Sequence, residues 1–330
     1  MNQRLLARQK ERGEVHYCPV NYFATINKEL LHVRNAENMH LISHHFGLFY
    51  YFYNNFNDVN LNMQNKVVII TGASSGIGLA CAREFASKGY SVVLAARNIE
   101  RLTEIEQEIK PSNPDILIVQ TDVTKDDDCK NLVNKTIDRF KRIDILINNA
   151  GISMRALFQN VDLKVIKQLM DVNFWGAVYC TKYALPYLLQ NQGSVVGVSS
   201  IAGFKGLPAR TGYSASKFAL QGFLDTLRVE NLKNKLHVMI VAPGFTASNI
   251  RKTALNENGQ EQGESPLQES NLMSSEEVAR HIFNGIKRRK RSIVLTMEGK
   301  LVILLNKICP RLLDVIEYNT MRKEPNSPLK

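Results

Sequence analysis

Tyr213 and Lys217 are four residues apart in the segment YSASK, and a phenol and an amine at this spacing can carry out proton transfer. Side chains at positions i and i+4 of a helix lie on one face, so the two groups would be neighbours. A nearby ammonium group lowers the pKa of a phenol from its usual value of about 10, which makes it a usable acid or base near neutral pH. The pair therefore indicates chemistry between a carbonyl and an alcohol, with a chance spacing on a surface helix as the alternative.

A glycine-rich segment lies between a predicted strand and a predicted helix, which is the context of a dinucleotide site. Residues 66–70 contain a short apolar, β-branched run typical of a buried parallel strand, and residues 79–88 have a helical pattern. Glycines allow the backbone to approach a pyrophosphate, and a helix N-terminus offers N–H groups to it. The predicted contacts are Gly72, Ser74, Ser75, Gly76, Ile77 and Gly78. A glycine turn that binds no ligand is the alternative.

The glycines follow the spacing G-x-x-x-G-x-G, and together with Tyr213 and Lys217 they make the chain resemble the short-chain dehydrogenase/reductase (SDR) family, classical type. Further motifs of that family stand in the expected order: NNAG at 148–151, an asparagine at 173, a serine at 200 and the dipeptide PG at 243–244. The resemblance covers residues 63–300. It implies an NAD(P)-dependent oxidoreductase that acts on CH–OH donors and assembles as a homodimer or homotetramer.

The resemblance implies a role for each catalytic residue. Tyr213 would exchange a proton with the substrate oxygen, and Lys217 would lower the pKa of Tyr213 and hold the nicotinamide ribose. Ser200 would donate a hydrogen bond to the substrate oxygen, and Asn173 would anchor a proton-relay water. The alternative for Ser199 and Ser200 is that they are ordinary turn residues. The alternative for Asn173 is that its side chain bonds the backbone of a long helix that starts near Asp162. The remaining implied cofactor contacts are Asp122, Val123, Asn149, Ala150, Gly151, Tyr213, Lys217, Pro243, Gly244, Thr246 and Ser248.

Two of these assignments keep alternatives. Ser248 occupies the position five residues after Pro243 where the family often has a threonine, and Thr246 is the nearby alternative. Asp122 would lie beside the adenine, and the alternative is the N-cap region of a helix that opens at Thr124.

Arg97 directly follows the predicted second strand, and it decides the preferred cofactor. An NAD site usually places an acid near this strand end to bind the ribose 2′-hydroxyl, but residues 91–99 contain no acid. A guanidinium group can instead bind a 2′-phosphate through its planar fork, and Ser74 could add a hydrogen bond. We therefore expect NADP(H), with NAD(H) as the other possibility and a solvated strand-end charge as the plain alternative.

Strand and helix patterns alternate from residue 66 to residue 296. This order predicts an α/β fold, a Rossmann-like doubly wound parallel sheet of about seven strands in a single domain over residues 63–300. Residues 1–62 are an atypical extension with 10 of the 26 aromatic residues. We expect that extension to lie outside the active protein because of an upstream start codon, with a poorly ordered membrane- or partner-binding arm as the alternative.

The formal net charge of +11 is uneven, because residues 287–330 contribute +7. We expect the basic run 287–291 to be a solvated connection rather than a nucleic-acid site. The apolar part of the tail, residues 301–330, is too short and polar to span a bilayer; it would cover the cleft or form a subunit contact, with peripheral membrane binding as the alternative. Five scattered cysteines indicate reduced thiols and a cytoplasmic location, and no metal-ligand spacing appears.

The substrate should meet the loops that follow the fifth and sixth strands. Phe204, Leu207, Phe245, Ile250 and Leu255 would make an apolar lining, and residues 245–273 are long enough to form a lid. The lining predicts a hydrophobic carbonyl or alcohol, lipid-, steroid- or acyl-like. A catalytically weak NADP(H)-binding sensor or scaffold is the second hypothesis. A sugar-nucleotide epimerase of the related extended type is a third, although it would favour another glycine spacing.

Overall fold

The computed structural model of this protein describes residues 66–246, 249–263 and 272–330, and it shows one parallel sheet flanked by helices. Residues 1–62, Ser248 and part of the predicted lid lie outside the described residues. The sheet has seven strands in the order β3-β2-β1-β4-β5-β6-β7, which confirms the predicted doubly wound arrangement. The strands are β1 (Val67–Thr71), β2 (Ser91–Ala96), β3 (Ile116–Gln120), β4 (Ile145–Asn148), β5 (Ser194–Val198), β6 (His237–Ala242) and β7 (Ser292–Val294).

Helices follow the strands in turn. They are α1 (Gly76–Ser87), α2 (Ile99–Ile109), α3 (Asp126–Phe140), α4 (Leu163–Met170), α5 (Gly176–Gln190), α6 (Thr211–Glu230), α7 (Ser275–Lys287), α8 (Met297–Ile308) and α9 (Pro310–Arg322). A π-helical turn, Asp171–Trp175, joins α4 to α5, and a 3₁₀ turn, Ile201–Gly203, follows β5.

The core has two layers, one on each face of the sheet. Alternate residues of a strand point to opposite faces, so Val68 and Ile70 contribute to one layer and Val67 and Ile69 to the other. Helices α1, α2 and α7 cover the first face, and α3, α5 and α6 cover the second. Because both faces are buried, these strands are apolar throughout, as the sequence of β1 predicts.

Strand neighbours determine where a ligand can bind. β1 pairs with β2 on one side and with β4 on the other, so the chain order reverses beside β1. In open parallel sheets, ligands bind outside the carboxyl ends of the strands at such a reversal. The segments that carry the predicted site residues follow the carboxyl ends of the first six strands, β1 to β6.

Three predicted helix boundaries were wrong. α1 begins at Gly76, inside the glycine turn, rather than at residue 79. α3 begins at Asp126 rather than Thr124, because the Asp122 carboxylate accepts hydrogen bonds from the N–H and hydroxyl groups of Thr124 and closes a separate turn. The long helix that starts after Asp162 is divided by the π-helical turn into α4 and α5.

Candidate active site

The glycine turn between β1 and α1 needs glycine for two different reasons. Gly72 and Gly76 have φ angles of 64° and 52°, in the left-handed region that other residues avoid. At Gly78, a Cβ atom would lie 2.2 Å from the carbonyl oxygen of Gly72, so only glycine lets the helix start this close to the turn. The first turn of α1 contains no acidic residue, which leaves its N–H groups suited to an anion.

Asn149 and Ala150 hold the glycine turn against the end of β4. The Asn149 side-chain amide donates to the carbonyl oxygens of Thr71 and Gly72 at 2.9 and 3.2 Å. The backbone N–H groups of Asn149 and Ala150 donate to the Thr71 hydroxyl at 3.0 and 3.1 Å. The Thr71 hydroxyl is thus a site-shaping group that sequence reasoning missed, although its place at the end of β1 was a usable signal.

The residues predicted to read the adenosine end have different surroundings. Ser75 precedes α1 without capping it through its side chain, so its hydroxyl stays available. Arg97 is exposed at the end of β2, and its guanidinium group makes no hydrogen bond or ion pair with the rest of the described chain. Asp122 lies in the turn after β3, where its carboxylate accepts hydrogen bonds from Thr124; the N-cap residue of α3 is Lys125, so the N-cap alternative was wrong. Val123 packs against Gly176, where a Cβ would lie 2.8 Å away.

Tyr213 and Lys217 lie on α6, and both line the same cleft as Ser200 and the end of the glycine turn. The Lys217 amine donates to the carbonyl oxygen of Val198 at 2.9 Å and lies 5.7 Å from the centre of the Tyr213 ring. Ser200 follows β5, and its hydroxyl accepts a bond of 3.2 Å from the Ala202 N–H group. The i and i+4 spacing therefore places the two α6 side chains as predicted.

Burial and charge act in opposite directions on the phenol. Burial raises the pKa of Tyr213, whereas a hydrogen bond with Ser200 and the positive charges of Arg210 and Arg251 act to lower it. Burial also lowers the pKa of Lys217, to about 8. The net effect on the pKa of Tyr213 is upward, so the predicted lowering by Lys217 was wrong for the cleft as described; the positive charges that act to lower this pKa are those of Arg210 and Arg251.

Asn173 lies in the π-helical turn and is almost fully buried. Its carbonyl oxygen accepts from the Ile152 N–H group at 2.8 Å, and its amide donates to the Ile152 carbonyl and the Ser216 hydroxyl, each at 2.9 Å. Asn173 thus links α6 to the segment after β4. Its side chain does not bond the described backbone of its own helix, which was the alternative prediction. A Cβ at Gly151 would lie 3.1 Å from the Asn173 oxygen and 3.4 Å from the Lys217 amine, so the three residues meet at one place.

The segment after β6 closes the nicotinamide side of the cleft. Pro243, Gly244 and Thr246 line it, and a Cβ at Gly244 would lie 2.5 Å from the side chain of Thr296. Thr246 is buried, and its hydroxyl donates to the Gly244 carbonyl at 3.3 Å. Of the two hydroxyl residues predicted here, Thr246 therefore lies at the cleft, and Ser248 is outside the described residues.

The cleft opens to solvent, and the empty space within it and at its mouth is about 780 Å³. On the substrate side, Leu207, Phe245 and Ile250 line it as predicted. Phe204 and Leu255 do not line it: the carbonyl of Phe204 accepts from Asn306, and Leu255 is buried in a cluster with Met154. Arg210 and Arg251 also line the cleft. Sequence reasoning missed both, since basic residues in loops usually face solvent.

The C-terminal tail packs on the substrate side of the cleft. The Glu324 carboxylate lies 3.1 Å from the guanidinium group of Arg155 and 3.5 Å from that of Arg210, and all three side chains are nearly buried. Arg155 also donates to the Pro325 carbonyl at 2.6 Å. Lys205 pairs with Asp314 of α9. No local pattern could have predicted these contacts between residues so far apart in the chain.

The residues present fit a dinucleotide. The glycines keep free the space that a side chain would fill beside the N-terminus of α1. The neighbouring cleft is lined by Asn149, Gly151, Lys217 and Thr246. Among the described residues, no group of three or more His, Cys, Asp or Glu is arranged to hold a metal ion. No helix in that part of the chain is long and apolar enough to cross a bilayer.

The basic run 287–291 is partly tied into the fold. Arg289 donates to the backbone carbonyls of Gln192 and Lys235, and Arg291 lies 3.4 Å from the Asp225 carboxylate. His237 is also structural, because its two ring nitrogens bond the Ser194 hydroxyl and the Lys290 carbonyl at 3.0 and 2.9 Å. The run thus connects α7 to β7, as predicted.

Comparison with known proteins agrees with this geometry. A family model described as short chain dehydrogenase matches residues 66–259. A relative from Arabidopsis thaliana, named 11-beta-hydroxysteroid dehydrogenase 1A, is 37% identical over 264 residues, which are 77% of this chain and 74% of the relative.

Two solved structures have the same fold. A short-chain dehydrogenase/reductase from Burkholderia phymatum in complex with NAD has a TM-score of 0.67 and 22% identity, covering 76% of this chain and 96% of that one. An alcohol dehydrogenase from the archaeon Thermococcus sibiricus, complexed with 5-hydroxy-NADP, has a TM-score of 0.63 and 24% identity, covering 70% and 95%. The family match and the relative together show that this chain belongs to the short-chain dehydrogenase/reductase family, classical type, and is a nucleotide-dependent oxidoreductase acting on CH–OH donors.

Proposed function

We propose that this protein is an NADP(H)-dependent oxidoreductase that interconverts a hydrophobic ketone or aldehyde and the corresponding alcohol, with Tyr213 as the acid/base. The observation that carries the proposal is that Ser200, Tyr213 and Lys217 line one cleft with Ile77, which lies between the last two glycines of the glycine-rich segment. A nicotinamide nucleotide bound there supplies or accepts the hydride. The chain itself has to orient the substrate and move one proton.

In the reducing direction, Tyr213 donates its hydroxyl proton to the carbonyl oxygen of the substrate. Burial raises the pKa of this phenol, so it carries a proton before the reaction. Ser200 hydrogen bonds the same substrate oxygen and stabilises the negative charge that develops on it. In the oxidising direction, the phenolate of Tyr213 accepts the alcohol proton.

Lys217 and Asn173 support this proton transfer. The Lys217 amine lies over the Tyr213 ring, where its charge favours the phenolate that forms when the proton leaves. It would also hold the ribose hydroxyls of the nucleotide. Asn173 bonds the backbone of Ile152 and the hydroxyl of Ser216, and we propose that it keeps the relay between Lys217 and solvent in place.

Arg97 carries the proposed preference for NADP(H). It is the exposed cation at the end of β2, and its guanidinium group is not engaged by other described residues. Ser74 and Ser75 in the glycine turn would add hydrogen bonds to the same phosphate, and Asp122 and Val123 would contact the adenine. NAD(H) is the weaker cofactor in this proposal, because it lacks the group that Arg97 would bind.

The apolar part of the cleft supports a hydrophobic substrate. Leu207, Phe245 and Ile250 line the cleft together with Tyr213. The name of the Arabidopsis relative, a hydroxysteroid dehydrogenase, points in the same direction. We therefore propose a lipid-, steroid- or acyl-like carbonyl compound as the substrate class.

We also propose that the protein is a homo-oligomer through α8. Met297, Leu301, Leu304 and Ile308 form an exposed stripe along this helix, at spacings that place them on one face. Sedimentation velocity would report a dimer or tetramer.

The proposed catalytic domain is residues 63–300, with 301–330 as its tail. We propose that residues 1–62 are an extension outside the active protein, and the intact mass of the natural protein tests this.

Liposome co-sedimentation tests the alternative role of the tail in peripheral membrane contact. The described thiols Cys81, Cys129, Cys180 and Cys309 are free, and the first three are buried, which supports a reducing, cytoplasmic location. Nucleic-acid binding is not part of the proposal.

The decisive experiment is Tyr213→Phe, assayed by NADPH consumption with a panel of ketones, aldehydes and steroid ketones. Loss of a general acid should lower kcat by roughly 10²- to 10⁴-fold. Tyr183→Phe is the matched control, because that phenol binds Asp126 at the surface, away from the cleft. Near-normal turnover by Tyr213→Phe would reject the role of Tyr213. NADPH binding without turnover of any compound would favour the sensor or scaffold hypothesis.

A further inference from the structure

The loop before α6 places a second charged residue beside Tyr213. Arg210 is the N-cap residue of α6, three residues before Tyr213, and is only 8% exposed. Its guanidinium group lines the same cleft as Tyr213. One donor also approaches the Pro208 carbonyl at 3.5 Å and the sulfur of Met321 at 3.9 Å. A cation held this close to a buried phenol affects how readily the phenol ionises.

The position of Arg210 depends on the C-terminal tail. Glu324 approaches Arg210 at 3.5 Å, and it also approaches Arg155 at 3.1 Å from the loop after β4. All three side chains are about nine-tenths buried, so solvent screens these charges weakly. One carboxylate is therefore shared by two guanidinium groups, and the Arg155 Nε atom is buried without a hydrogen-bond partner.

Other charges face the same region. Lys217 lies on α6 itself, and Arg251 approaches from the segment after β6. Glu317 of α9 is influenced by the charges of Lys205 and Arg210, and Lys205 is paired with Asp314. Within this set, Arg210 both borders the cleft and contacts a tail carboxylate, so it can transmit a change in the tail to Tyr213.

We propose that Arg210 and Glu324 are positioning residues that together tune the acidity of Tyr213, with the C-terminal tail holding Arg210 at the cleft. The Arg210 charge favours the phenolate, and the Glu324 carboxylate both orients Arg210 and offsets part of its charge. The consequence for catalysis rests on the proposed role of Tyr213, but the effect on ionisation of the phenol does not.

The experiment measures the ionisation of Tyr213 directly. Ultraviolet titration of the protein, minus the same titration of a variant that also carries Tyr213→Phe, isolates the phenolate signal of this residue. Arg210→Gln should raise the pKa of Tyr213 by roughly one unit, because it removes a nearby positive charge. Glu324→Gln should move the pKa in the opposite direction, because the amide oxygen can still hold Arg210 in place while the negative charge that offsets the Arg210 charge is removed. Arg210→Lys keeps the positive charge, so the pKa of Tyr213 in this variant should stay close to the wild-type value.

Asp314→Asn is the matched control, since it removes a tail carboxylate that pairs with Lys205 rather than with Arg210. It should leave the titration unchanged. In the same variants, the pH profile of alcohol oxidation should move with the titration. Circular dichroism identifies any variant that has not folded. If Arg210→Gln does not fold, the pKa values of Tyr213 in Glu324→Gln and Arg210→Lys still test the proposal.

Shifts in the same direction for Arg210→Gln and Glu324→Gln would overturn the proposal, and so would the absence of any shift. If Arg210→Gln and Glu324→Gln shift the pKa of Tyr213 as expected but Tyr213→Phe keeps full turnover, the charge coupling stands and the acid/base role of Tyr213 is rejected. The two failures are therefore distinguishable.

Discussion

Replacing Arg97 by alanine tests the basis of the proposed cofactor preference. Arg97 follows the buried end of β2, and its backbone carbonyl accepts a 3.0 Å hydrogen bond from the side chain of Gln120. The variant keeps that backbone contact. The wild-type Arg97 side chain is exposed and makes no hydrogen bond or ion pair with the rest of the described chain. We therefore expect an unchanged melting temperature, so any change in affinity reports on the cofactor.

The expected magnitude follows from the chemistry of a guanidinium group and a phosphate. Hydrogen bonds to charged groups contribute about 1.5–3 kcal/mol, and the exposure of Arg97 favours the lower part of this range. A loss of about 1.5–2 kcal/mol weakens NADPH binding roughly 10- to 30-fold. NADH has no 2′-phosphate, so its affinity should change little.

The assay is equilibrium titration of NADPH and of NADH by fluorescence, with wild type and variant measured at the same ionic strength. Arg101→Ala provides the control, because Arg101 is an exposed arginine on α2 that pairs with Glu104. That variant should bind both cofactors like wild type. Salt should also weaken the NADPH affinity of wild type more than that of Arg97→Ala.

Two results would refute the reasoning. Equal affinity of the wild-type protein for NADPH and NADH would show that Arg97 does not select the cofactor. An unchanged NADPH affinity in Arg97→Ala, with a clear wild-type preference for NADPH, would move the phosphate contact to another group, such as Ser74 or Ser75.

Two further predictions concern the oligomer and the stability of the sheet. Leu304→Glu should dissociate the oligomer in sedimentation velocity without lowering the melting temperature, because Leu304 is 53% exposed in the α8 stripe. The control is Leu232→Glu, at an exposed leucine in the turn after α6, which should leave assembly unchanged. An intact oligomer in Leu304→Glu would exclude this face as the contact. Burial lowers the pKa of His237 to about 4, whereas the unfolded chain has a value of about 6.5. The unfolded state then binds a proton that the native state does not, so the free energy of unfolding should fall by up to about 3 kcal/mol as the pH drops from 6.5 to 4. Urea denaturation should show a shallower pH dependence for His237→Asn, and an equal slope in both proteins would contradict the assignment.

The sequence predicts the sheet and the cleft well because both depend on local pattern. Each motif follows a short apolar strand, and parallel strands of a doubly wound sheet end at one edge. Tyr213 and Lys217 could be placed together from their i and i+4 spacing alone. Helix boundaries were less predictable, since the Asp122 turn and the π-helical turn at Asp171–Trp175 depend on specific hydrogen bonds.

The charged environment of the site could not be predicted in the same way. Arg210 and Arg251 stand in loops, where a basic residue most often faces solvent, and nothing in their neighbours marks them as buried cleft residues. Glu324 is far from Arg155 in the sequence, and only the tertiary fold brings the two side chains together. Contacts of this kind depend on tertiary packing, so the acidity of Tyr213 is a property of the fold and not of the YSASK segment.

The contact of Glu324 with Arg155 and Arg210 also has a consequence for biosynthesis. A ribosome makes Tyr213, Lys217 and the glycine turn long before it makes residue 324. While the tail is still in the exit tunnel, the substrate-side wall behind Arg210 lacks its carboxylate. Under the proposed roles of Arg210 and Glu324, a nascent chain acquires the residues of the cleft before it acquires the carboxylate that tunes Tyr213.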